Sequence, residues 1–90
     1  MTPEKTVRPL TMEMVEGVRE NLGLNVRDFC PLIGVSRQTY YNWVSRGTVP
    51  NAARKRVRVR LRSLVRIAEE YDLPAKSKER AVAMAGMVAA

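Results

Sequence analysis

Apolar residues recur along this chain in short blocks at helical spacing, each closed by a glycine or proline. Met12, Val15, Val18 and Leu22 share one side of a helix that Thr11 can cap and Gly23 can stop. Asn25 is placed to cap a second helix over 26–33, with Phe29, Cys30 and Ile33 turned inward and Gly34 as a left-handed stop. Ser36 then caps a third helix that reaches Arg46 and ends at Gly47. Thr48 to Asn51 with Pro50 read as a loop. Asn51 is the expected cap of a fourth helix running to about Tyr71, before Asp72, Leu73 and Pro74 end it.

In this fourth helix Ala53, Val57, Leu61, Leu64, Val65, Ala68 and Tyr71 form one apolar stripe. Residues 56–62 also alternate basic and apolar with period two, the pattern of a half-buried strand. Helix is the preferred reading, because the stripe continues past Leu61 whereas the alternation stops. Ser77 can cap a fifth helix through Val88, rich in Ala and Met. Its apolar residues lie all round, so it must pack on the body or on a second subunit. The expected organisation is a flexible arm over 1–10, a body over 11–74 and a C-terminal helix over 75–90 that could serve dimerisation.

Composition narrows the function. Ninety residues suit one small domain and leave little room for a separate substrate cleft, so no enzyme is expected. A single cysteine, Cys30, excludes an intramolecular disulfide. With no histidine, neither a Cys/His zinc site nor histidine general-base chemistry can be assembled, and no cofactor or metal is implied. Cys30 itself reads as a small buried hydrophobe. Residues 1–10 carry Glu4, Lys5 and Arg8 where a signal peptide needs an apolar core, and no apolar run is long enough to span a membrane. The expected location is the cytoplasm, on the nucleoid.

The net charge of +7 is concentrated in the middle of the chain. Residues 29–68 hold nine basic side chains and no Asp or Glu, whereas each end carries one more acid than base. A forty-residue acid-free stretch attracts a polyanion, either nucleic acid or an anionic membrane surface. The membrane is the poorer candidate, because the basic stripe lacks the Trp/Phe/Leu face of an interfacial helix. Arg54, Lys55 and Arg56 stand near the start of the fourth helix, where cations oppose the macrodipole and an external anion would relieve them.

Residues 26–46 carry what two helices meeting at a steep angle require: small Cys30 at the contact, Gly34 in the turn, and the inward set Phe29, Ile33, Val35, Tyr40, Trp43 and Val44. This segment, with Gly34-Val-Ser-Arg-Gln-Thr39 and Trp43, resembles the lambda-repressor/Cro-like family of helix-turn-helix regulators, the xenobiotic-response-element type. The likeness spans roughly 12–73, since 64–73 is similar to the helix that closes such domains. Pro31 departs from the pattern, removing a backbone hydrogen bond where a kink would follow. The run from Ser36 to Trp43 is also similar to the helix-turn-helix of some insertion-sequence transposases, but no room remains for a strand-transfer domain.

The resemblance implies an all-α fold, a compact bundle of four to five helices containing a helix-turn-helix, with the helix after Ser36 in the major groove of double-stranded DNA. Its outward residues Arg37, Gln38, Tyr41, Asn42 and Ser45 are then the candidates for base readout. Gln38 and Asn42 suit adenine and Arg37 suits guanine. Asn25, Arg27, Ser36, Thr39, Arg46, Thr48, Asn51, Arg54, Lys55 and Arg58 are the candidates for phosphate contact, while Arg60, Arg62 and Arg66 are expected to face solvent. One such motif reads about half a helical turn, so a homodimer on a near-palindromic operator is expected. Met84, Met87, Val88 and Val82 would supply its interface, or residues 56–62 as a β-ribbon if they formed a strand. No small-molecule ligand is evident. The expected role is a transcriptional regulator, a repressor of bacterial or phage origin. An accessory factor for recombination, packaging or transposition, or an antitoxin-like autoregulator, fits the same features.

Overall fold

A computed structural model of the chain describes residues 8–89 and is all-helical, with α1 over Met12–Asn21, α2 over Val26–Ile33, α3 over Arg37–Arg46, α4 over Asn51–Glu70 and α5 over Ser77–Ala89. Local signals set the first three helices where the sequence places them. Thr11, Asn25 and Ser36 each take extended backbone and accept a hydrogen bond from the backbone N–H three residues on. After α1 the chain turns through Gly23 at φ 71°, with Gly23 N–H donating to Glu20 O and Leu24 N–H to Arg19 O. After α2 it turns through Gly34 at φ 78° with the matching pair of bonds, Gly34 N–H to Pro31 O and Val35 N–H to Cys30 O. Both are Schellman closures that bury the following apolar residue, Leu24 fully and Val35 partly. Pro31 does not divide α2, which runs through it to Ile33. It is exposed and stands two residues from the helix end, so the one lost bond falls on the solvent side of a terminal turn.

Three expected features are corrected. Asn51 does not cap α4: it is the first helical residue, Pro50 holds the cap position without a side-chain bond, and Asn51 Oδ1 instead accepts from Arg54 Nη1 at 3.4 Å. Residues 56–62 lie inside α4, which removes the strand and the β-ribbon built on it. The buried stripe of α4 is Ala53, Val57, Leu61, Leu64 and Ile67; Val65 is half-buried, while Ala68 and Tyr71 face solvent. Packing explains that rotation, because Met87 and Val88 of α5 lie beside Ile67, whereas Val65 and Ala68 border a recess between α1 and α4.

One core unites all five helices, with Val15, Phe29, Ile33, Tyr40, Val49, Val57, Leu64 and Met84 fully enclosed. Met84 is thereby taken up within the protomer, with Met87 and Val88 partly covered, and of the four residues expected to face a second subunit only Val82 stays well exposed, at 68%. Ser77 does not cap α5 as expected: it is the first helical residue, and its side chain turns away from that helix. Its hydroxyl donates to Asp28 Oδ2 at 2.7 Å and accepts from the Asn25 N–H at 3.0 Å, seating the start of α5 on the start of α2. Arg80 completes the docking by donating to Leu22 O at the end of α1 (2.8 Å) and to Pro74 O (2.7 Å). The last residues of the expected arm over 1–10 are held against the body. Leu10 is buried, and an isolated bridge pairs Thr11 with Thr48, with Met12 N–H donating to Gly47 O and Val49 N–H to Leu10 O. Residues 1–7 of that arm lie outside the described residues.

Candidate nucleic-acid interface

The face of α3 is set by what its other side buries. Tyr40 and Trp43 point into the core, and the Tyr40 ring meets Phe29 of α2 edge-on at 6.0 Å. The Tyr40 hydroxyl donates to Glu16 Oε2 on α1. Arg19 grips the same carboxylate through Nε at 3.2 Å and Nη2 at 2.9 Å, and its Nη1 donates to Leu24 O at 2.8 Å. This fork holds the Glu16 carboxyl below its ordinary value, chiefly through Arg19 and against the opposing effect of burial. Burial, and then Glu16, push the Tyr40 phenol well above its ordinary value. A buried phenol, a carboxylate and a guanidinium thus tie α3 to α1.

With Tyr40 and Trp43 inward, Arg37, Gln38, Tyr41, Asn42 and Ser45 all project into solvent, as their spacing requires. Tyr41 is 54% exposed and rests edge-on against Tyr40 at 6.3 Å. Gln38 Nε2 donates to Asn42 Oδ1 at 3.4 Å, a long bond that leaves Gln38 Oε1 as acceptor and Asn42 Nδ2 as donor. That pair matches the N6–H donor and N7 acceptor of an adenine. Val44 corrects the inward set: it is 43% exposed. One turn after Tyr41 and two after Arg37, it adds an apolar edge to the polar face, suited to a thymine methyl. Its position seven residues after Arg37 was the signal available in the sequence.

The backbone-contact candidates divide according to their internal duties. Asn25 is engaged as the α2 cap, accepting from Asp28 N–H at 2.9 Å, and its own N–H is taken by Ser77. Ser36 and Thr39 bond each other, Ser36 Oγ accepting from the Thr39 N–H at 3.1 Å and donating to Thr39 Oγ1 at 3.0 Å. Thr48 is half-buried in the bridge to Thr11. Arg54 Nε donates to Val49 O at 3.0 Å. Arg58 Nη2 donates to Arg8 O at 2.6 Å and Pro9 O at 3.0 Å, which turns it toward the N-terminal segment. Arg27 lies 3.6 Å from Asp28 Oδ1 but is largely exposed, and the Asp28 carboxyl is held below its ordinary value by the Ser77 hydroxyl first and Arg27 next. Among the described residues ion pairs involve only Arg19 and Arg27, so Arg37, Arg46 and Lys55 are exposed cations with no carboxylate partner.

Cys30 is buried, and burial raises its thiol above the ordinary value, as befits a packing residue. Among the described residues no three His, Cys, Asp or Glu side chains gather where a metal ion could be held, and no helix is long and apolar enough to cross a membrane. Comparison of the chain with protein-family models, with curated proteins and with solved structures finds no match. The chemistry of the α3 face is therefore the guide to function.

Proposed function

We propose that this chain is a sequence-specific double-stranded DNA-binding regulator of the lambda-repressor/Cro-like kind, in which α2, Gly34 and α3 act as a helix-turn-helix and α3 enters the major groove. The observation that carries the reading is the α3 face itself. Five polar side chains project from a helix clamped by Tyr40 and Trp43, with no internal task beyond the weak Gln38–Asn42 bond. The setting adds support, for those residues belong to the acid-free stretch over 29–68.

Size agrees with the role. A helix with its side chains is about 10–12 Å across and the major groove about 12 Å wide. Gln38 and Asn42 read adenine together through their free acceptor and donor. Either reads it alone if it gives up their mutual bond, Arg37 reads guanine, and Tyr41 and Val44 meet a thymine methyl or a sugar. Arg46, Lys55 and Arg54 meet phosphates. The start of α4, which has neither a side-chain cap nor an acidic residue in its first turn, offers backbone N–H groups to the same anion. Occupying an operator makes the protein a repressor acting on the nucleoid in the cytoplasm of a bacterium, or of a phage-infected one. Two copies bind half-sites about 34 Å apart or a multiple of that.

Selection of binding sites from a random duplex pool tests this reading. A short inverted repeat preferred about 10³-fold over scrambled DNA is expected. Steeply salt-dependent binding without any preferred sequence would overturn it, and sedimentation of a monomer on the selected site would remove the dimer.

A further inference from the structure

Seven cations lie on α4 and the structure sorts them into two kinds. Arg54 and Arg58 are tied to backbone carbonyls of the loop before α4 and of the N-terminal segment. Lys55, Arg56, Arg60, Arg62 and Arg66 are exposed, and among the described residues none pairs with a carboxylate. Arg56–Arg60 and Arg62–Arg66 each stand four residues apart, the spacing at which like charges repel within a helix. The proposed α3 contacts use none of these four arginines.

The four arginines flank a shared strip of surface. At 100° per residue Val59 and Ser63 lie between the Arg56–Arg60 row and the Arg62–Arg66 row. Val59 is 51% exposed and Ser63 half-buried. A recess of about 530 Å³ opens here between α4 and α5, lined by Arg60, Ser63, Val59 and apolar residues of α2 and α5, and a smaller one beside it is lined by Ser63 and Arg66. No acidic side chain lines either recess. Four residues of helix rise about 6 Å, a spacing at which the two guanidiniums of one row can reach two neighbouring phosphates of a strand. Each row of arginines can therefore meet two phosphates of one strand, with the planar guanidinium suited to a bidentate bond.

We infer that this strip, Arg56, Arg60, Arg62 and Arg66 around Ser63, is a second, sequence-independent binding face for the phosphate backbone of duplex DNA, so that one protein holds two DNA segments. A membrane fits less well, because the large apolar residues of α4 other than Val59 and the half-buried Val65 face the core. The inference takes only duplex DNA from the proposed function and does not need a preferred operator.

The test mixes the full chain with donor-labelled and acceptor-labelled 20-bp duplexes of one arbitrary sequence and reads energy transfer between them, alongside binding to a single duplex. Arg62→Gln/Arg66→Gln is expected to lower bridging at least tenfold and to make its salt dependence shallower by about 1.8 in log–log slope, at about 0.9 per phosphate contact. Single-duplex affinity should stay within about threefold and the melting midpoint should not fall. Arg60→Gln, made separately, should lower bridging as well.

A wild-type protein that never bridges would overturn the inference, as would a double variant that bridges as well as wild type, which would assign bridging to a dimer with two α3 faces. A fall in melting midpoint with bridging intact would assign the arginines to the C-terminal end of α5 instead. Bridging that depends on Arg62 and Arg66 in a protein with no preferred site would refute the regulator reading and leave this one standing.

Discussion

Replacing Tyr40 by Phe isolates the hydroxyl that ties α3 to α1. The ring remains, so its edge-on packing with Phe29 is kept and only the bond to Glu16 is lost. A hydrogen bond to a charged group contributes about 1.5–3 kcal/mol. Glu16 leaves 30% of its side chain exposed and keeps its two Arg19 bonds. The loss should therefore fall at the low end, about 1.5 kcal/mol, a drop of roughly 6–12 °C in melting midpoint for a domain of this size. The dependence on pH supplies a second reading. The Glu16 carboxyl is lowered from 4.5 by Arg19 first, so its contribution is present above about pH 4.5 and is lost as pH falls through the lower folded value. The Tyr40 phenol is raised above 10.0 by burial first and then by Glu16, so its contribution is complete below about pH 10 and is lost as pH rises toward the folded value. Tyr40→Phe should abolish that alkaline loss and keep most of the acid loss, which Arg19 dominates. Urea unfolding followed by far-ultraviolet circular dichroism at about pH 4, 7 and 10.5 measures all three, with the m-value reporting whether the unfolded state has changed. A loss below about 0.5 kcal/mol at neutral pH, or an alkaline limb as steep as in wild type, would refute the reasoning.

Other outcomes follow from the same geometry. Gln38→Ala and Asn42→Ala should each relax preference at one or two base pairs by about 1–3 kcal/mol, whereas Arg54→Ala should weaken all sequences alike and make the salt slope shallower by about 0.9; competition binding against single-base operator variants separates the two classes. Met84→Ala should lower stability by about 2–5 kcal/mol in chemical unfolding, because Met84 is fully buried where α5 joins the core; a near-neutral result would mean that α5 is not docked in solution. Gly34→Ala should lower stability by about 1 kcal/mol through its left-handed backbone alone. Gly23→Ala should lower it further, because the added methyl would stand 2.7 Å from Arg80 Nη1 and displace the bond to Leu22 O. An Arg80→Ala background should abolish that excess in a double-mutant cycle.

The candidate site was more legible than the tertiary contacts around it. Ser36, Gly34 and the 3.6-residue period act within one turn of chain. They set where α3 begins and which side of it Tyr40 and Trp43 bury, and so which five residues project. Val44 is apolar yet exposed, because its angular position lies at the edge of the outward face. Arg58 reads as a free phosphate ligand from sequence, and Asn25 as a phosphate ligand besides capping α2, yet the Arg58 side chain and the Asn25 N–H bond the Arg8–Pro9 carbonyls and Ser77 about 50 residues away. No short-range pattern announces such a partner.

By itself the sequence determined the three capped helices α1 to α3, the glycine turns after α1 and α2, the helical nature of α4 and the acid-free charge of the central stretch. Each depends on backbone preference, side-chain period or composition, which act over a few residues or need no structure at all. Tertiary structure alone decided that Ile67, with Ala68 and Tyr71 left outside, continues the α4 stripe, that Met84 closes the core, that Ser77 and Arg80 fasten α5, and that Glu16, Arg19 and Tyr40 lock α3 to α1. These follow from which surfaces meet when distant segments bury apolar area together. Such a choice is made by the whole packed core, with each buried polar group then requiring its partner there.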